Sequence, residues 1–227
     1  MENFLFDFNI PEEEETFGNS KKDILRYLSD IGVDTRFISY TSDKIYINNL
    51  RFSKFSRRRQ NTFEKHFPNF KVIRSSLFQE IVTNASRELS SHIKPKVKVL
   101  ILDDANPLIP IILEPYTRKY GISLVYDDND DYDLITSNKT LDTEVHSIVS
   151  EIFSGEGISF PRKKENYIYP LIKVSNSQIN DFLGEKLVSR PYDDVAEEFL
   201  EFLDDTVAQY KPNILASVEY LENNQKI

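Results

Sequence analysis

A nearly continuous run of apolar residues near the middle of the chain constrains its fold most strongly. Apart from Lys98, every residue from 97 to 102 is Val, Leu or Ile, as expected of a strand covered on both faces in a parallel sheet. Helical and strand patterns alternate after this run, at about 108–120 (helix), 122–126 (strand), 133–136 (strand) and 141–153 (helix). That order predicts an α/β fold with an open, mostly parallel sheet and flanking helices.

Two further regions precede this α/β pattern. Residues 1–20 combine aromatic residues with four consecutive glutamates at 12–15, and they predict a tail that docks on this protein's own core or on a partner. Residues 21–74 predict a small basic α+β module, with a helix from an N-cap at Ser20 to Gly32 and then a hairpin. Residues 75–227 predict the α/β domain, with a helix at 75–92 and a long helix at 192–210.

The residue inventory excludes several kinds of chemistry. The chain has no cysteine, which excludes disulfides, thiol nucleophiles and thiolate-bound clusters. Its three histidines, His66, His92 and His146, have no partner at metal-ligand spacing, so we expect no metal site. No segment resembles a signal peptide or reaches the ~20 apolar residues that span a bilayer. We therefore expect a cytoplasmic protein with no membrane partner.

The net charge of −9 is unevenly distributed. From Lys44 to Lys98 the chain has 13 Lys and Arg against three acids, a local charge of +10, so the remainder carries −19. Such a basic region either binds an anionic polymer or is a solvated face with no ligand. If it binds RNA, the predicted contacts to phosphate groups are Lys54, Arg57, Arg58, Arg59 and Lys65. Phe55 and Phe63 would then pack internally or stack on bases.

The loop after the apolar strand is the expected ligand position in such a sheet. It reads Asp-Asp-Ala-Asn-Pro at 103–107, whereas a phosphate-binding loop needs glycines with exposed N–H groups. Conventional ATP binding is therefore not expected. Asp103 and Asp104 could hold Mg²⁺ as in receiver domains, but Ser137 stands where the phosphoacceptor Asp would be required, which favours solvated loop acids.

Two other polar clusters favour structural interpretations. The acids between Asp127 and Asp133 lack the glycine and closing glutamate of a calcium loop, so a polar turn is expected. His146 and Glu144 have no nucleophile or second acid placed by the sequence, which favours a histidine on a helix surface. The sequence thus predicts no catalytic residue.

Several stretches from residue 75 onward follow the order of a known family. A helix precedes the apolar strand, a strand and helix follow at 133–157, and two closing helices are joined by a linker at 210–213. The matching positions are Thr136, Leu141, Asp142, Glu144, Pro170, Leu171, Pro191 and Tyr192. In this arrangement the chain resembles the PP-loop ATP pyrophosphatases of HUP-type fold that thiolate tRNA, and also their non-catalytic partner subunit.

The departures from this family fall on its chemistry. Residues 102–107 replace the family's Ser-Gly-Gly-x-Asp-Ser loop, Ser137 and Asn138 replace a Gly and a His, and the family's cysteines are absent. Only about 30 residues separate the apolar strand from the strand at 133–136. We therefore expect a reduced sheet that lacks one βα unit.

The resemblance implies a degenerate, non-catalytic protein without a cofactor. It would bind or position tRNA beside an active PP-loop paralogue during two-thiolation of a wobble uridine, in a homo- or hetero-oligomer. One alternative is an ATP-dependent tRNA-modifying enzyme, with ATP and Mg²⁺ at an altered site formed by Asp103, Asp104, Asp142 and Glu144. Another alternative is a module for protein–protein interaction.

Overall fold

The computed structural model describes residues 20–185 and 194–224. The predicted tail, apart from Ser20, and the motif positions Pro191 and Tyr192 lie outside the described residues. The helices are α1 Lys21–Asp30, α2 Leu50–Ser53, α3 Arg57–His66, α4 Ser76–His92, α5 Leu108–Lys119, α6 Leu141–Ser154, α7 Asn176–Leu183, α8 Val195–Thr206 and α9 Tyr210–Asn224. The strands are β1 Ile38–Tyr40, β2 Lys44–Ile47, β3 Lys71–Ile73, β4 Lys98–Leu100, β5 Ser123–Val125, β6 Leu134–Thr136 and β7 Tyr167–Ile168.

The α/β part is built on a four-stranded sheet in the order β5-β4-β6-β7. All of its neighbouring strands are parallel, which confirms the predicted fold class. Val99, in the middle of β4, is fully buried, as its apolar run predicts. Residues 126–133 connect β5 to β6 without a helix, so a loop takes the place of the crossover helix that parallel strands usually have.

From β4 the chain continues to β5, which lies beside β4 in the strand order. The strand on the opposite side of β4 is β6. The loops that follow β4 and β6 therefore diverge at the carboxyl edge of the sheet. This is the topological switch point at which open α/β sheets bind ligands.

The N-terminal α+β part contains the predicted hairpin and a third strand. β1 and β2 pair antiparallel, and β3 pairs with β2 in parallel. β3 is only three residues long, too short for its sequence pattern to predict it. The connection from β2 to β3 contains α2 and α3, which place a basic helix beside a buried aromatic cluster that includes Phe55, Phe63 and Phe67.

A buried ion pair on α5 joins this part to the α/β part. Glu114 is 6% exposed, and Arg118 pairs with its carboxylate. The Tyr40 N–H donates to Glu114 Oε2 at 3.0 Å, while Arg118 donates to the carbonyl oxygens of Thr35 and Ile38 at 2.9 and 2.8 Å. The sheet of the N-terminal part is thus fixed to α5 by charged hydrogen bonds. The predicted domain division at residue 74 stays a prediction.

The C-terminal region differs from its prediction. The helix expected at 192–210 ends earlier than predicted: α8 ends at Thr206, and α9 begins at Tyr210 after Gln209 with φ of 60°. The hydroxyl of Tyr210 donates to the Leu200 carbonyl at 3.0 Å, which holds the second helix back against the first. Residues 210–213 form the first turn of α9 and not a linker. Among the described residues, no helix is long and apolar enough to cross a bilayer.

Gly32 combines backbone strain with a close side-chain contact at the end of α1. Its φ is +83°, and a Cβ added there would lie 2.7 Å from Arg59 Nη2. We expect Gly32→Ala to lower the free energy of unfolding by about 1–2 kcal/mol for the backbone, with a further loss from displacing Arg59. Gly121→Ala is the matched control, because φ is +67° there and nothing lies within 4 Å. Equal losses in urea denaturation would contradict a contribution from Arg59.

Candidate nucleic-acid interface

Four of the five predicted basic residues lie on the surface formed by α2 and α3. Lys54 follows α2 with φ of 55°, Arg57 and Arg58 lie in the first turn of α3, and Lys65 lies in its last turn. All four are exposed. Arg58 and Lys65 are seven residues apart and therefore share one side of the helix. In the part of the chain that the structure describes, no carboxylate forms an ion pair with any of these four.

Arg59 differs from its neighbours, because it packs inward. It donates a hydrogen bond to the Lys54 carbonyl, and its guanidinium lies against Gly32 at the end of α1. These contacts tie the start of α3 to α1 and α2. Arg59 therefore has a structural role, which its position in an Arg-Arg-Arg run did not reveal.

Of the two alternatives for Phe55 and Phe63, internal packing is confirmed and base stacking is wrong. They are 1% and 0% exposed, and their ring centroids lie 6.1 Å apart in an edge-on contact. Both rings belong to the core of the N-terminal part. The sequence did not distinguish them from exposed rings, because aromatic and basic residues are interleaved throughout 51–67.

An exposed aromatic residue that the sequence reasoning missed lies beside the basic residues. Phe52 on α2 is 52% exposed, with the Arg51 guanidinium 6.0 Å from its ring centroid. Its ring also lies against Phe37, at a centroid distance of 5.3 Å. Exposed aromatic rings stack on bases of any sequence, so Phe52 is the ring on this surface that suits such a contact.

The carboxyl edge of the parallel sheet is occupied by the protein's own side chains. The Asn138 amide, in the loop after β6, donates to the Asp104 carbonyl at 2.9 Å and accepts from the Asn106 N–H at 2.8 Å. Asn106 Oδ1 accepts from the Leu108 N–H at 3.0 Å at the start of α5. These hydrogen bonds join the two loops across the switch point and use N–H groups that a phosphate would otherwise contact.

Asp103 and Asp104 lie exposed in the β4 loop, whereas Asp142 and Glu144 are used by other elements. Asp142 accepts from the Asn176 N–H at 2.7 Å and from Lys211 Nζ at 2.9 Å. Glu144 is 1% exposed. It accepts from Lys139 Nζ at 2.6 Å and Arg162 Nε at 2.7 Å, which leaves neither of its oxygens unpaired.

No metal-binding arrangement is found in the described part of the chain, where no group of three or more His, Cys, Asp or Glu is placed to hold an ion. A depression of about 340 Å³ lies between α4, α9 and the start of α6, lined by ten residues that include Arg87, Lys173 and Glu219. Neither Asp103 nor Asp104 lines it. The depression is therefore separate from the loop where the family resemblance would place ATP.

His146 is buried, contrary to the surface position expected for it. It is 7% exposed, and its Nε2 lies 3.1 Å from Asp194 Oδ1 at the start of α8. The Glu197 N–H and His146 hold the pKa of Asp194 below its usual value. His146 thus joins α6 to α8.

The acidic segment before β6 forms the expected polar turn. Asp127 Oδ1 accepts from the Asn129 N–H at 2.9 Å, and Asp133 Oδ2 accepts from the Lys98 N–H at 2.8 Å. The latter bond fixes the turn to the amino end of β4. Asp127 therefore stabilises the turn itself, whereas Asp133 supports the backbone of β4.

Comparison with known proteins gives one partial relationship. The chain is 33% identical over 94 residues to a probable sulfurtransferase of Methanocaldococcus jannaschii, an alignment that covers 39% of this chain and 28% of that protein. No family model matches the chain, and no solved structure matches it. The similarity to a sulfurtransferase and the parallel α/β sheet together fit, loosely, a sulfur-transfer or PP-loop-like family.

Proposed function

We propose that this protein is a non-catalytic subunit of a sulfur-transfer system that binds tRNA and positions it for a catalytic PP-loop paralogue. The modification would be two-thiolation of a wobble uridine. The observation that carries the proposal is the set of exposed cations on α2 and α3, which form no ion pair within the described residues, in a chain with partial similarity to a probable sulfurtransferase.

The basic residues suit contacts to phosphate groups. Four of them, Lys54, Arg57, Arg58 and Lys65, are exposed. Because they form no ion pair within the described residues, an anion can bind them without breaking one. Such contacts do not depend on the base sequence. They weaken as the salt concentration rises, because binding releases counterions from the nucleic acid. Phe52 adds a ring on which an unpaired base can stack.

The contacts at the carboxyl edge of the sheet support a role in which this chain does not itself use ATP to adenylate the RNA. Asn138 already holds the β4 loop through two hydrogen bonds, and the carboxylates of Asp103 and Asp104 would repel a triphosphate. A tRNA would instead meet the molecule at α2 and α3. The catalytic groups would come from the paralogue.

The triple substitution Arg57→Ala, Arg58→Ala and Lys65→Ala tests the proposal. We expect it to weaken tRNA binding by at least about tenfold at moderate salt. We also expect the slope of log affinity against log salt concentration to decrease by about 2–3, since each lost phosphate contact removes ~0.7–0.9. Fluorescence anisotropy with labelled tRNA across a salt series measures both. Arg59 is left intact, because its loss would disturb the fold.

The control is a triple variant with the same change in net charge, Arg87→Ala, Lys94→Ala and Lys164→Ala. These three residues are also exposed but lie outside α2 and α3. We expect the control to bind nearly as tightly as the parent. If both triple variants lost the same affinity, tRNA would respond to overall charge and not to this surface, and the proposed site would be rejected.

A further inference from the structure

Helix α8 carries two apolar stripes, one buried and one exposed. Ala196 and Leu200 are 3% and 5% exposed and belong to the core beneath the helix. Val195, Phe199 and Phe202 are 65%, 39% and 61% exposed. Their spacing of four and three residues places them along one side of the helix. A helix that only covered a core would need the first stripe and not the second.

The exposed stripe continues onto the end of α6. Phe153 packs edge-on against Phe199, with ring centroids 5.4 Å apart, and Ile152 and Phe153 are 52% and 49% exposed. We call this group of five residues the α6–α8 apolar face; its members are Ile152, Phe153, Val195, Phe199 and Phe202. Contiguous apolar surface of this kind, unlike scattered single residues, marks an interaction site.

A row of acids runs beside the α6–α8 apolar face. Glu198, Glu201 and Asp205 are exposed, and their spacing of three and four residues aligns them along α8 next to the stripe. The helix contains neither Lys nor Arg. In the described ranges no cation forms an ion pair with any of the three. The row therefore presents one sign of charge along the border of an apolar surface.

We propose that the α6–α8 apolar face is a docking surface for a protein helix that presents an apolar stripe bordered by Lys or Arg. The apolar side chains supply the contact area, and the acidic row selects the basic border and orients the partner. This inference is independent of RNA binding, which is proposed for α2 and α3.

Charge argues against two other occupants of this face, a second copy of this chain and residues 1–19 of the chain itself. A second copy of this chain, packed antiparallel through the same face, would set the acidic row against itself, and the chain carries a net charge of −9. Residues 1–19 contain aromatic residues but also the glutamates at 12–15. Like charges placed opposite each other across an interface repel and disfavour that pairing. A basic helix meets no such repulsion.

Two synthetic helical peptides with the same leucine stripe test the inference, one bordered by a row of lysines and the other by a row of glutamates. In fluorescence anisotropy with the full chain, we expect the lysine peptide to bind at least about tenfold more tightly. Phe199→Ser with Phe202→Ser should weaken that binding by at least about tenfold. Glu198→Lys, Glu201→Lys and Asp205→Lys together should reverse the preference.

The matched control is Tyr220→Ser with Leu221→Ser, which removes apolar residues that are 69% and 45% exposed on α9; we expect it to leave peptide binding unchanged. Equal affinity for both peptides, or a phenylalanine variant that binds like the parent, would overturn the proposal. Sedimentation that showed a dimer lost in the phenylalanine variant would assign the face to a second copy instead. Tighter peptide binding after Phe4→Ser, Phe6→Ser and Phe8→Ser would assign it to residues 1–19.

Discussion

Replacing Arg118 by alanine is expected to lower the free energy of unfolding by about 3–5 kcal/mol, as measured for buried ion pairs that lose one partner. The carboxylate of Glu114, which is 6% exposed in the parent protein, would keep Lys21 Nζ at 3.0 Å as a cation. The carbonyl oxygens of Thr35 and Ile38 would also lose their donor. The attachment of the N-terminal sheet to α5 depends on this guanidinium.

The control for this variant is Arg36→Ala. Arg36 pairs with Asp34 at 2.8 Å, but its side chain is 59% exposed, and such surface pairs contribute ~1 kcal/mol or less. Urea denaturation followed by circular dichroism compares the two variants. Equal losses would contradict the claim that burial makes the Glu114–Arg118 pair important.

Replacing Arg162 by methionine is expected to cost a similar amount, about 3–5 kcal/mol, through loss of a second buried network. Arg162 donates to Glu144 at 2.7 Å, to the Ser147 hydroxyl at 3.1 Å and to Glu151. Burial alone would lower the pKa of Arg162, but its bonds with Glu151 and Glu144 raise it. Burial also opposes ionisation of Glu151, yet the Ser159 N–H and Arg162 lower its pKa to about 2.

A double-mutant cycle separates the charge interaction from general damage at this site. Glu144→Leu with Arg162→Met removes both charges, and apolar replacement of a whole buried pair is often nearly neutral. We therefore expect the double variant to lose less stability than the sum of the two single variants. Strict additivity would show that Arg162 and Glu144 do not depend on each other.

The architecture of the α/β part could be predicted because its signals are local. Apart from Lys98, the run at 97–102 is apolar. The helix expected from residue 75 is α4, and the Ser75 hydroxyl accepts from the Phe78 N–H at 3.1 Å at its start. The position of the break between α8 and α9 could not be predicted, although two closing helices were expected. It depends on long-range contacts of Tyr210 and on the ion pair of Lys211 with Asp142 at 2.9 Å, which leave no periodic pattern.

The candidate interface was predicted only in part, for a related reason. A run of arginines identifies a basic helix, but its sequence does not show which guanidinium turns inward, and Arg59 does so because Gly32 leaves room beside it. Interleaved aromatic residues likewise do not reveal burial, and the exposed ring is Phe52 rather than Phe55 or Phe63. Charge density is readable from sequence, whereas side-chain direction requires the fold.

We propose that the switch point of this parallel sheet, where the β4 loop carries two exposed carboxylates, holds no nucleotide. Isothermal titration of the full chain with ATP and Mg²⁺ tests it most directly. Since the Asn138 side chain binds the Asn106 N–H and the Asp104 carbonyl of the β4 loop, and Asp103 and Asp104 are exposed there, we predict no saturable heat at millimolar ATP. Saturable binding that is changed by Asp104→Asn would contradict the account.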